Sequence, residues 1–316
     1  MLEDLISDVP QNDPSRTPPL VQPEPVSEQL VEGYLKYFAK ADSNITWLES
    51  ELEIALWICP PSCDACAGKG YMEDGQECPF SKTVVMGKID TVGQTADREL
   101  FFMDLKTSAP PPRNRINEWK QSWRMSPQAL TYGLLILQKY PDLRRFTVRR
   151  LYKSSPPTFD FEWFRFALPE IEWWRGELLR TADEIRRYRK EKREHWPPNF
   201  QRCFKYGLNY ICPFFNPACS QLKWSAVPEG ATPRTHSHLK IEDDFHAANT
   251  GTFGQPIRKG VVILGASRME TWECRERFRR NYEEGGVNEP EAIARSIGTN
   301  THALLDQFYR MKIKPK

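Results

Sequence analysis

Two strand-length runs, TVVMGKIDTV at 83–92 and ELFFMDLKT at 99–107, lie only a short polar stretch apart, and each carries an aspartate into apolar surroundings. Runs rich in β-branched and aromatic residues, separated by a polar turn near Gly93 to Asp97, read as neighbouring strands. Residues two apart in a strand share a face, so Asp104 and Lys106 project together, and Asp90 can meet them from the adjacent strand. Charge set beside an apolar run such as LFFMDL is costly to bury unless it is paired or bound to a metal.

Elements of both kinds surround this pair. Leu30, Val31, Tyr34, Leu35 and Phe38 recur at helical spacing, with Ser27 as a candidate N-cap. Residues 45–58, 145–153 and 159–166 read as strands, and 127–139 as a helix with Pro127 in its first turn. Pro169 opens an amphipathic helix running to about Glu194, and 267–282 and 288–311 read as further helices. The expected fold class is α/β, a mixed central sheet flanked by helices. The expected organisation is a Pro-rich arm at 1–26, a core at 27–224, a linker at 225–260 and a helical segment at 261–316.

Charge excludes little, because the formal net charge is +2; the basic face of 175–193 reads as readily as a solvated helix surface. No apolar run approaches bilayer length and the N-terminus has no secretory h-region, so the expected location is the cytoplasm, without membrane partners. In that reducing compartment the eight cysteines are expected to bind metal rather than form disulfides.

The carboxylates and the lysine suggest hydrolysis of a phosphodiester. Carboxylate oxygens hold Mg²⁺ or Mn²⁺, the cation polarises the phosphate, and a lysine stabilises developing charge. The Leu105 carbonyl offers one further hard ligand. Gln128 and Tyr132, at i and i+4 of a helix, share a face and suit contacts to phosphate or base edges. An Asp-x-Lys tripeptide alone equally fits a surface ion pair. Trp163, Trp173 and Trp174 read as core packing, and His195, His236, His238 and His246 as solvated.

GKID, DLKT and QALTY, in that order and at those separations, resemble the RecB-like branch of the PD-(D/E)xK nuclease superfamily over roughly residues 45–220. That branch includes CRISPR-associated and phage recombination exonucleases. The resemblance implies a restriction-endonuclease-like core, with Asp90 and Asp104 as metal ligands, Lys106 as catalytic, and Gln128 and Tyr132 in a DNA-contacting motif. It also implies DNA as substrate, and a recombination or annealing protein is a candidate partner. The implied activity is that of a DNA exonuclease processing ends; the alternative is a weak or inactive nuclease-fold module that binds DNA.

The cysteines form two sets. Cys59, Cys63, Cys66 and Cys78 fall within 20 residues, and glycines at 68 and 70 let backbone amides turn toward thiolates. This knuckle-like insertion at 59–80 suits tetrahedral Zn²⁺, with idle thiols or only three ligands as competing readings. Cys203, Cys212 and Cys219, in the segment 196–224, are one ligand short of a cluster site. The resemblance implies an iron–sulfur cluster there, with the fourth cysteine ahead of the core. In this chain the matching segment stands last: Cys274, then Gly298 and His302, resemble the family's opening helices. Two readings follow, a circular permutation that delivers His302 to Asp90 and Asp104, or a second domain cut short. In the first, Cys274 completes a [4Fe–4S] site with Cys203, Cys212 and Cys219. Asp306, Glu51 and Glu53 are further carboxylates with less support.

Overall fold

The computed structural model describes residues 25–108, 122–190, 199, 232–233, 239–249, 261–266, 268–269, 287–288 and 293–313. The elements run α1 (Pro25–Asp42), β1 (Thr46–Ile58), β2 (Thr83–Gln94), β3 (Leu100–Ser108) and α2 (Pro127–Ile136). They continue with β4 (Arg145–Tyr152), β5 (Thr158–Arg165), α3 (Leu168–Tyr188), β6 (Thr232–Pro233) and α4 (Lys240–Asn249). β7 (Val262–Leu264), β8 (Val287–Asn288) and α5 (Ile293–Lys312) complete the described set.

The expected mixed sheet is present, in the order β1-β2-β3-β4-β5 with β7 beside β2. β1, β2 and β3 are antiparallel in turn, β3 and β4 are parallel, and β4 and β5 are antiparallel. Apolar side chains on both faces recruit helices to each side. Ile89, Phe102, Phe146 and Val148 pack with Leu130 and Leu135 of α2 and with Ile171, Leu178 and Ile185 of α3. Phe101, Met103, Leu105 and Leu151 pack on the other side with Leu30, Tyr34 and Phe38 of α1 and Leu304, Leu305 and Tyr309 of α5. Full burial of each large apolar side chain contributes about 1.5–3 kcal/mol, so both helical layers are held chiefly by this area. Among the described residues no helix is long and apolar enough to cross a membrane.

Several elements depart from the sequence expectation for identifiable reasons. α1 begins at Pro25, so Ser27 lies within the helix rather than capping it; its buried hydroxyl donates to the Ile297 carbonyl of α5 (3.4 Å). Ser126 does cap α2, accepting from the Ala129 amide (3.1 Å). The stretch expected to be a linker contains α4, whose Glu242 pairs with Arg268 in a buried contact. The segment expected to be helical contains β7, which completes the sheet beside Thr83–Val85. Trp174 is buried and donates to Thr131 Oγ1 (3.1 Å), and Trp163 packs on Phe101, as core residues should; Trp173 is half exposed. His195, His236 and His238 lie outside the described residues, as does the side chain of His246.

One polar knot ties α5 to the sheet. Arg149 of β4, 2% exposed, donates to both oxygens of Asp42 (2.6 and 3.0 Å), to Tyr34 Oη (2.8 Å) and to Tyr309 Oη (3.3 Å). Its guanidinium also lies over the Phe38 ring, 4.1 Å from the centroid. Removing one partner of a buried pair leaves the other charge uncompensated. Asp42→Ala is therefore expected to destabilise the fold by about 3 kcal/mol, read as a lower urea midpoint; an unchanged midpoint would refute this role.

Candidate active site

β2 and β3 pair only from Thr91–Met103 to Gln94–Leu100, and beyond Thr91 the two strands part. β7 takes the first three residues of β2 instead. Asp90 and Asp104 are the first residues past the last paired rung, so both aspartates stand at the opening of a fork. There Asp90 Oδ2 accepts the Leu105 amide (2.7 Å), satisfying a donor that the parted strand would leave unpaired. The Asp104 carboxylate receives Lys106 Nζ on both oxygens (3.0 and 2.9 Å), as the i, i+2 spacing required. Lys106 lies 5.7 Å from the centroid of the Trp123 ring.

α2 approaches from one side. Gln128 Nε2 donates to Asp104 Oδ1 (2.9 Å) and to Tyr132 Oη (3.0 Å), while Tyr132 is 9% exposed. The pair thus shares one helix face, with its polar atoms turned to the Asp104 carboxylate. α5 approaches from the other side and brings His302 Nδ1 to 4.0 Å from Asp90 Oδ2. One turn further on, Asp306 accepts Ser50 Oγ (2.6 Å) from β1 and Arg310 Nε (2.9 and 2.7 Å) from its own helix. The convergence thus joins Asp90, Asp104, Lys106, Gln128, Tyr132 and His302, which are more than 200 residues apart at the extremes.

One member, Lys88, was not singled out in the sequence, and Glu51 was only a secondary carboxylate there. Lys88, two residues before Asp90, pairs with Glu51 of β1. Glu51 adopts φ 51°, in the left-handed region that a non-glycine residue rarely occupies. Glu53 is engaged elsewhere, accepting the Lys240 and Ile241 amides at the start of α4 (3.2 and 2.8 Å). The available signal was Lys88 itself, which makes Lys-x-Asp on one strand a mirror of Asp-x-Lys on the next.

Burial governs the electrostatics. Desolvation raises Asp104 to about 6 against the pull of Lys106, and raises Asp90 against Lys106 and the Leu105 amide. Glu51 is pushed up to about 7, again chiefly by burial. Burial lowers His302 to about 4, helped by the positive charge of Lys106, so its imidazole is neutral near pH 7.

A family model described as the PD-(D/E)XK nuclease superfamily matches residues 6–215, more than half of the 316-residue chain. The chain belongs to the PD-(D/E)XK nuclease superfamily. No curated protein matches it. Nucleases of this superfamily generally use divalent metals, and their fold implies DNA as substrate. The donor set here suits such an ion: hard carboxylate oxygens, a neutral imidazole, and buried acids whose ionised forms lack sufficient compensating charge. The matched span contains both aspartates and Lys106 but stops well before α5.

The first cysteine set forms a second centre at the tip of the β1–β2 hairpin. Cys59 follows β1 directly, and Cys63, Cys66 and Cys78 fold back so that all four sulfurs lie within 4.8 Å of one another. Such a group could hold a metal ion. Gly70 donates its amide to Cys66 Sγ (3.3 Å) at φ 84°, and a Cβ there would lie 1.9 Å from the Trp57 carbonyl oxygen. Burial alone would raise the Cys66 thiol, but that amide and the neighbouring cysteines bring it down to about 7. Cys203, Cys212, Cys219 and Cys274 lie outside the described residues.

Two measurements follow from this geometry. Gly70→Ala is expected to abolish metal loading while retaining all four cysteines, and metal content equal to that of wild type would exclude the proposed turn. In metal-free protein, neutral His302 supports stability above its unfolded value of 6.5, and that support is lost as pH falls toward about 4. Asp104, raised to about 6, acts with the opposite sign, because its protonated form is favoured in the fold. Urea titrations from pH 6.5 to pH 4 should therefore show wild type losing stability relative to His302→Asn; parallel curves would contradict the burial of His302.

Proposed function

We propose that this chain is a metal-dependent DNA exonuclease that hydrolyses phosphodiester bonds and processes DNA ends in recombination or repair. The observation that carries this reading is the meeting of Asp90, Asp104 and Lys106 at the strand fork with His302 from α5. Asp90, Asp104, His302 and the Leu105 carbonyl would hold Mg²⁺ or Mn²⁺. Once bound, the cation supplies Lewis-acid polarisation of the scissile phosphate. Lys106 is fixed by Asp104, so its ammonium can meet negative charge as it develops on the phosphate without reorganising. Gln128 fixes the orientation of Asp104, and together with Tyr132 it forms the DNA-contacting pair, with Gln128 the more accessible of the two.

Within the superfamily we place the chain in the RecB-like branch, as a circular permutation. Support comes from α5, which carries the Gly298-x-x-x-His302 spacing, packs beside α1 through Tyr34 and Tyr309, and brings His302 to the fork. In this reading 27–224 is the core, 225–260 connects it to the displaced segment 261–316, and 1–26 is an arm. Cys274 joins Cys203, Cys212 and Cys219 in a [4Fe–4S] site, while Cys59, Cys63, Cys66 and Cys78 hold Zn²⁺. The setting is the cytoplasm of a bacterial or phage-infected cell, with a recombination or annealing protein as partner.

End-labelled linear duplex and covalently closed circular DNA, each incubated with Mn²⁺, test the activity. Wild type should digest the linear substrate and spare the circle, and Asp104→Ala should lower the rate by about 10²–10³-fold, the scale of losing one transition-state electrostatic contact. Failure of wild type to digest either DNA, or equal digestion by Asp104→Ala, would sink the proposal.

A further inference from the structure

We infer that Lys88 is a second substrate-binding lysine, contacting a backbone phosphate next to the one held at Asp104 and Lys106. This rests on the nuclease reading above and adds a residue that reading does not use. Lys88 precedes Asp90 by two residues on β2, as Lys106 follows Asp104 by two on β3, and the strands are antiparallel. The fork is therefore bordered by one lysine from each strand.

Three observations place the Lys88 ammonium at the site rather than in a remote surface pair. Lys88 lies two residues from Asp90 on β2, so both side chains project from the same face of that strand. Its side chain is 34% exposed, close to the 27% of Lys106, so both cations remain reachable by a ligand from solvent. Its direct cross-strand neighbour is Glu53, whose carboxylate is committed to the first amides of α4. Lys88 turns instead to Glu51, a residue in a left-handed backbone conformation beside the fork.

The Glu51 pair orients the half-buried Lys88 ammonium beside the fork without enclosing it. A single ion pair uses one of the three donors of an ammonium, and the exposed part of the side chain leaves room for an anionic oxygen. The ligand class is thus a polyanion with phosphates spaced along a strand. Lys106 meets one phosphate and Lys88 the next.

The test separates binding from cleavage. Duplex binding is measured by anisotropy on the Asp104→Asn background over a range of salt, and cleavage is followed separately with wild type. A lysine that contacts phosphate contributes about 0.9 to the slope of log affinity against log salt. Adding Lys88→Met should make the slope shallower by about that amount, so that the affinity deficit shrinks about 3.5-fold between about 50 and 200 mM salt. Lys88→Arg should keep the parental slope, and so should Glu51→Gln, which removes the pairing acid without removing the cation. A parental slope in Lys88→Met, or equal slope changes in Lys88→Met and Glu51→Gln, would assign Lys88 a purely structural role and overturn the inference, even if wild type cleaves DNA. Absence of duplex binding by wild type and the Asp104→Asn background alike, with no cleavage by wild type, would overturn the inference together with the nuclease reading.

Discussion

The hydrogen bond from the Leu105 amide to Asp90 holds the site together. Where β2 and β3 stop pairing, β3 presents a backbone donor that would be buried without a partner, a loss of about 1–3 kcal/mol. Asp90 meets that donor and in doing so is fixed beside Asp104 and Lys106. The same contact therefore satisfies the backbone and positions a carboxylate. β7 occupies the other half of β2, so the parting of the strands is built into the sheet and is not a frayed end.

A second constraint closes the site from the far end of the chain. α5 carries Tyr309, in the Arg149–Asp42–Tyr34 knot, and His302, seven residues earlier, close to two turns away on the same side. Asp306 lies between them and accepts Ser50 of β1. The helix is thus anchored at two points beyond its apolar face, and the anchors set where His302 stands. Stability of the α1–α5 layer and geometry of the site are linked through one helix.

The cysteine centre and the carboxylate site lie toward opposite ends of β2. Seven residues separate Thr83, near the cysteines, from Asp90, roughly 23 Å of extended strand. The four buried or half-buried sulfurs close the hairpin tip, where a metal would organise a stretch with few apolar side chains of its own. The hard oxygen donors at the fork and the soft thiolates at the tip suit different ions.

The sequence by itself determined the strands β1 to β5, the shared face of Asp104 and Lys106, and the clustering of the first four cysteines. Each follows from short-range geometry: period-two projection, turn residues and ligand spacing. It also presented His302 in a helix, four residues after Gly298. Only the tertiary structure decided that Ser27 bonds to α5, that a helix and a strand interrupt the expected linker and helical tail, and that Gln128 holds Asp104. Lys88 and Glu51 gain their place from the same source, because their nearness to the fork depends on strand register and on where pairing stops. Side-chain partners across a sheet or between the two ends of a chain are set by packing, which no local pattern encodes. The aspartates were legible because their apolar surroundings demanded an explanation, and the company they keep became legible only once the last helix had closed on the sheet.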